Sequence, residues 1–140
     1  MDRPRPHSRP PLARRLAALD RRLVALLTGI ALVRPLSSVT GLTDALGRPL
    51  APLAFTAAIS LAWVLIVARS HAPDPVGTLV AAGVAYALAV VVLSGVLSPL
   101  LDGELRGPLA RPFTILPLLV TNALWGAVCG MVAAALRERR

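Results

Sequence analysis

The chain contains no lysine and no glutamine, a single asparagine (Asn122), a single cysteine (Cys129) and two histidines, His7 and His71. Each scarcity removes a class of function. One cysteine cannot close an intramolecular disulfide, and membrane thiol oxidoreductases need a cysteine pair. Both histidines fall outside the apolar runs, so no bis-histidine haem is expected within them, and the ligands for a zinc site are too few. The seven acids are Asp2, Asp20, Asp44, Asp74, Asp102, Glu104 and Glu138, all in flanks or loops. Proton-coupled exchange through a bilayer rests on an intramembrane ionisable group, which argues against a small proton-driven exporter. No nucleophile–base pair is visible, and the chain is expected not to be an enzyme and to carry no cofactor.

What is abundant is apolar. Hydrophobic residues make up 56% of the 140, charged residues 16%, and the mean hydropathy is +0.70. Soluble domains average about 25% charged residues, so the composition points to a membrane protein. The net charge of +8 comes from fifteen arginines. They flank apolar runs, without stacking aromatics beside them, so no nucleic-acid partner is expected.

The predicted organisation is a Pro/Arg-rich disordered arm over residues 1–11, then a four-span transmembrane domain over 12–140. Residues 12–22 read as an amphipathic interfacial helix running directly into the first span. The cleavage pattern of a secretory signal is missing there. The predicted spans are about 18–36, 50–68, 76–101 and 112–136. The first is the weakest: Leu23–Val33 gives only eleven apolar residues before Arg34-Pro35, about 16 Å of rise against a core of about 30 Å. It must borrow length from the Leu16 side, the Leu36 side, or both. Residues 37–48 read as an outside loop in which Thr43 caps a short turn. The fold class is therefore an all-α integral membrane four-helix bundle. Eleven arginines fall with the two termini and the 69–75 turn; four (Arg34, Arg48, Arg106, Arg111) fall on the other side. The positive-inside rule then puts both termini in the cytoplasm, in a bacterial inner membrane.

Few residues offer specific contacts. Gly126 and Gly130 form a GxxxG pair, and Ala54, Ala58 and Ala62 a small-residue stripe. Either serves helix packing inside the bundle or a partner interface. Cys129 sits beside the glycines as a small packing residue. Asn122 and Thr121, Tyr86, Trp63 and Arg34 are the candidate intramembrane polar contacts. Asn122 is expected to bond Tyr86, Ser60 or Thr28 across helices, with lining of a polar cavity as the alternative. Arg34 is expected to snorkel outward as a span-end anchor or to pair with Asp44, Asp102 or Glu104 on the same side, with contact to an anion or lipid headgroup as the functional alternative.

The Arg34-Pro35-Leu36 run after the first span, the Trp in the second, and the Leu93-Ser94 to Ser98-Pro99-Leu100 end of the third resemble small uncharacterised four-span membrane proteins of high-GC actinobacteria. The resemblance implies a layout, and no residue inherits a role from it. The leading expectation is a non-enzymatic accessory or assembly subunit of a membrane complex, or a small homo-oligomer, whose partners are the lipid bilayer and other membrane subunits. The alternative is a small transporter or flippase-like permease with a cavity lined by Asn122, Tyr86 and Trp63.

Overall fold

The computed structural model describes residues 19–39, 50–104 and 107–139. The regular structure in them is all helical: α1 (Arg21–Val39), α2 (Leu50–Arg69), α3 (Pro75–Asp102), a 3-10 turn (Pro112–Thr114) and α4 (Ile115–Glu138). Among the described residues, α2, α3 and α4 are long and apolar enough to cross a membrane. The proline-rich arm, most of the expected interfacial helix, and the 40–49 loop with Thr43 lie outside the described residues.

Helix starts follow local chemistry. The Asp20 carboxylate accepts hydrogen bonds from the Arg22 and Leu23 backbone N–H groups at 3.0 and 3.3 Å, so Asp20 caps α1. This corrects the expectation of one helix running unbroken from residue 12 into the first span: Leu19 is a bend and Asp20 lies outside any helix, so the helix begins at Arg21. Asp74 caps α3 likewise, accepting from Gly77 N–H at 2.9 Å, with Pro75 at the first helical position. Gly103 ends α3 in the left-handed region at φ 69°, which relieves a side chain of a steric penalty. The missing length of the first helix comes from the far side of Arg34. α1 continues through Pro35 to Val39, and its 19 residues rise about 28 Å, close to one bilayer core.

The helices alternate in direction. Leu27 meets Trp63, while Arg34 and Thr56 share a cleft nearer the other end of the pair, so α1 and α2 are antiparallel. Gly83 lies against Asn122, Gly126 against Leu79 and Gly130 against Val76, so α3 and α4 are antiparallel too. Around the bundle α1 neighbours α2 and α3, and α4 neighbours α2 and α3; α1 and α4 stand on a diagonal without extensive contact. Arg21, Arg22, Arg69, Arg137 and Arg139 therefore gather at one end, here called proximal, and Arg34 and Arg111 lie toward the distal end.

The closest packing is between α3 and α4. A Cβ added at Gly126 would lie 2.2 Å from the Leu79 carbonyl oxygen, at Gly130 2.6 Å from Val76 Cα, and at Gly83 2.3 Å from the Asn122 carbonyl oxygen. All three obstacles are backbone, so only glycine lets the helices touch at this distance. The GxxxG pair is thus consumed inside the bundle. The alanine stripe is not: Ala54 and Ala58 are exposed and Ala62 is half-buried, which corrects internal packing for the first two. No more than 33% of any apolar span is buried within the chain, so most of each span's surface faces outward.

Candidate functional site

The site is built from the diagonal gap between α1 and α4. Its deep part is a cleft of about 60 Å³ lined by Ala31 and Arg34 of α1, Thr56, Ile59, Ser60 and Trp63 of α2, Tyr86 of α3, and Asn122 and Trp125 of α4. That volume holds a few waters. Toward the distal end it continues into a wider compartment of about 500 Å³, which shares Arg34, Thr56, Asn122 and Trp125 and adds Thr114, Pro117, Leu118 and Thr121. This size falls in the usual range of small-ligand sites.

Each helix contributes one stripe. On α4 the lining positions 114, 117, 118, 121, 122 and 125 recur at three- and four-residue spacing, one face of a helix. From Thr114 to Trp125 the stripe climbs about 16 Å, half the thickness of a bilayer core. On α2, Thr56, Ile59, Ser60 and Trp63 form the corresponding face.

Two tryptophans brace the walls. Trp63 is buried and donates from Nε1 to the Leu27 carbonyl at 2.9 Å, tying α2 to α1. Trp125, about half exposed, donates from Nε1 to Ser60 Oγ at 3.0 Å, tying α4 to α2. Ser60 Oγ donates a hydrogen bond to the Thr56 carbonyl at 2.8 Å, and Thr56 Oγ1 donates to the Pro52 carbonyl at 2.9 Å. These hydroxyls are satisfied along their own helix, leaving the oxygen of Ser60 to accept from the indole.

All of the sequence-predicted polar residues meet here. Arg34, Trp63, Tyr86 and Asn122 line the deep part; Arg34, Thr121 and Asn122 line the wider one. The expected partner of Asn122 is corrected. Its amide donates to the Leu118 carbonyl one turn earlier in α4, at 2.8 Å, and not to Tyr86, Ser60 or Thr28. The helix-linking amphipathic donor is Trp125, which sequence reasoning passed over. Its signal was the α4 stripe of Thr114, Thr121, Asn122 and Trp125 at helical spacing.

Arg137 was also read only as one more cytoplasmic charge. Its guanidinium closes the proximal end of α2: Nη1 donates to the Ala72 carbonyl at 2.6 Å, and Nη2 to the carbonyls of Val67, at 2.8 Å, and Ser70. The last carbonyls of a helix have no partner within it, and a cation there also complements the helix dipole. This fastens the end of α4 to the α2–α3 turn opposite the cleft.

Among the described residues no group of three or more His, Cys, Asp or Glu forms a metal-binding cluster. Comparison with protein-family models, curated proteins and solved structures returns no match. The architecture itself defines the class: among the described residues, a helical bundle with three apolar helices of membrane-crossing length and a largely apolar cleft that carries a few polar side chains.

Proposed function

We propose that this chain is a four-span protein of a bacterial cytoplasmic membrane, with both termini cytoplasmic, and that its cleft admits the polar part of an amphiphile as a small facilitated permease or flippase. The observation that carries this is convergence: Arg34, Trp63, Tyr86 and Asn122, from four different helices, face one cleft. The 28 Å rise of α1 supports the fourth span, and the gathering of arginines at the proximal end supports the orientation. No carboxylate lies along the apolar runs, so movement would be downhill and not proton-driven.

The test is a proteoliposome assay with headgroup-labelled lipid and an impermeant quencher. The reconstituted chain should speed the loss of signal from the inner leaflet, and Asn122→Leu should slow it. A rate equal to that of empty vesicles refutes the reading.

A second reading keeps the chain as an accessory subunit or homo-oligomer. The exposed groove of about 350 Å³ on α2, lined by Leu50, Ala51, Ala54, Phe55 and Ala58, favours it. Gentle extraction and sizing tests it: a strict monomer without co-purifying protein counts against association.

A further inference from the structure

We infer that the proximal end of the bundle is a binding surface for anionic phospholipids, whose phosphates are held by the exposed arginines of α1, α2 and α4. The inference rests on the reading that the chain spans a membrane and is independent of what the cleft carries.

Charge comes first, counted over the whole chain. The segments 1–22, 69–74 and 137–140 hold eleven arginines against four acids, Asp2, Asp20, Asp74 and Glu138, a surplus of seven that stands whatever pairs form within them. Two of the four carboxylates are engaged in helix caps: Asp20 accepts from the Arg22 and Leu23 N–H groups, and Asp74 from Gly77 N–H. Arg21, Arg22, Arg69 and Arg139 are exposed, and their guanidinium groups make no hydrogen bond or ion pair among the described residues.

The register of the helices puts these four arginines in one layer. Trp63 of α2 meets Leu27 of α1. Arg69 follows Trp63, and Arg21 precedes Leu27, by the same stretch of helix, about 9 Å toward the proximal end. Arg137 bonds the Ser70 and Ala72 carbonyls, which sets the end of α4, and Arg139 with it, level with the α2–α3 turn.

What lies beside the layer argues for a lipid over a soluble polyanion. On the same three helices, within about two turns of the arginines, Leu26, Leu61, Val132 and Leu136 are exposed. Cationic groups at the edge of an apolar band match the order of phosphates at the edge of acyl chains, and the arginine stems can lie along that band. A guanidinium meets phosphate oxygens in pairs. Each basic residue near an anionic membrane surface strengthens association about fivefold.

The full chain is placed in phosphatidylcholine nanodiscs containing a trace of spin-labelled phosphatidylglycerol or spin-labelled phosphatidylcholine. The motionally restricted fraction of each gives their relative association constant. The two leaflets of a nanodisc are alike, so the direction of insertion does not affect the result. The expected outcome is about a fivefold preference for phosphatidylglycerol in about 0.1 M salt, shrinking toward unity in about 1 M salt. R69Q should lower the preference about twofold. R111Q removes an exposed arginine from the distal end and should leave it unchanged. The combined variant R21Q/R22Q/R69Q/R139Q should remove most of the preference, and the matching lysine variant should keep most of it. Equal association of the two lipids, a preference retained in the folded combined glutamine variant, or equal losses in R69Q and R111Q overturns the inference. Millimolar inorganic phosphate that erases the preference at constant ionic strength overturns it in favour of a soluble anion. Binding of polyglutamate without any lipid preference overturns it in favour of an acidic protein. A chain that does not enter nanodiscs removes the membrane reading itself, and the inference with it.

Discussion

Replacing Gly126 with alanine adds one methyl group where the structure has no room. Its Cβ would lie 2.2 Å from the Leu79 carbonyl oxygen, 2.8 Å from the Leu79 carbonyl carbon and 3.1 Å from Val80 Cα. Ordinary contact begins at 3.4 Å, so α3 and α4 must separate by about 1.2 Å at this point. The obstacle is helix backbone, which has no rotamer to change. A gap of 0.5–1 Å forfeits about a quarter to a half of each dispersion well along the seam. The separation also pulls apart the neighbouring contacts of Gly83 and Gly130, which share the interface. Overpacking of this kind costs about 1–3 kcal/mol. Gly29→Ala is the control, because nothing lies within 4 Å of its added Cβ. It adds the same methyl and the same gain in helix propensity, about 1 kcal/mol in water. The measurement is the unfolding midpoint in a mild detergent, followed by circular dichroism, for the two variants side by side. Gly126→Ala should fall below the parent and Gly29→Ala should equal or exceed it. Equal midpoints for the two variants would show that α3 and α4 do not touch through their glycines.

Arg137→Gln should lower the same midpoint by about 1.5–3 kcal/mol, because the carbonyls of Val67, Ser70 and Ala72 lose a charged donor. Lysine should restore only part, since an ammonium cannot span three carbonyls as a planar guanidinium does; full rescue by Arg137→Lys would contradict the cap. Trp63→Phe keeps the ring and removes the donor to the Leu27 carbonyl, with an expected cost of about 0.5–1.5 kcal/mol in the same assay. An unchanged midpoint would mean that ring packing alone ties α1 to α2. Asp74→Ala should cost about 1 kcal/mol and Asp74→Asn a few tenths, since the amide oxygen still accepts from Gly77 N–H. Matching losses in the alanine and asparagine variants would reject the cap.

The two glycines at 126 and 130 were legible because a four-residue spacing in an apolar run is itself a statement about one helix face. Gly83 was not, since nothing local to α3 says that Asn122 backbone lies across from it. Ala54 and Ala58 show the converse. Their spacing matches a packing face, yet both are exposed, because α1 and α4 flank α2 on other sides. Arg34, Tyr86, Trp63 and Asn122 were legible as polar residues costly to leave in hydrocarbon. That they share one cleft depends on four helix rotations, and no single helix contains that information. The Asn122 bond shows how short-range chemistry intervenes: its amide donates to the carbonyl one turn back in the same helix.

The sequence by itself determined that the chain is helical and where its long apolar helices run. Apolar run length acts through neighbours in the chain and is readable in order, whereas the caps at Asp20, Asp74 and Gly103 came from the structure. Only the tertiary structure decided which face of each helix turns inward. It set the α3–α4 seam, closed the end of α2 with Arg137 from 65 to 70 residues away, and left α1 and α4 apart around a cleft. The physical reason is that these helices are apolar nearly all round. Polarity therefore does not choose the buried face, and the choice falls to backbone approach and a handful of hydrogen bonds.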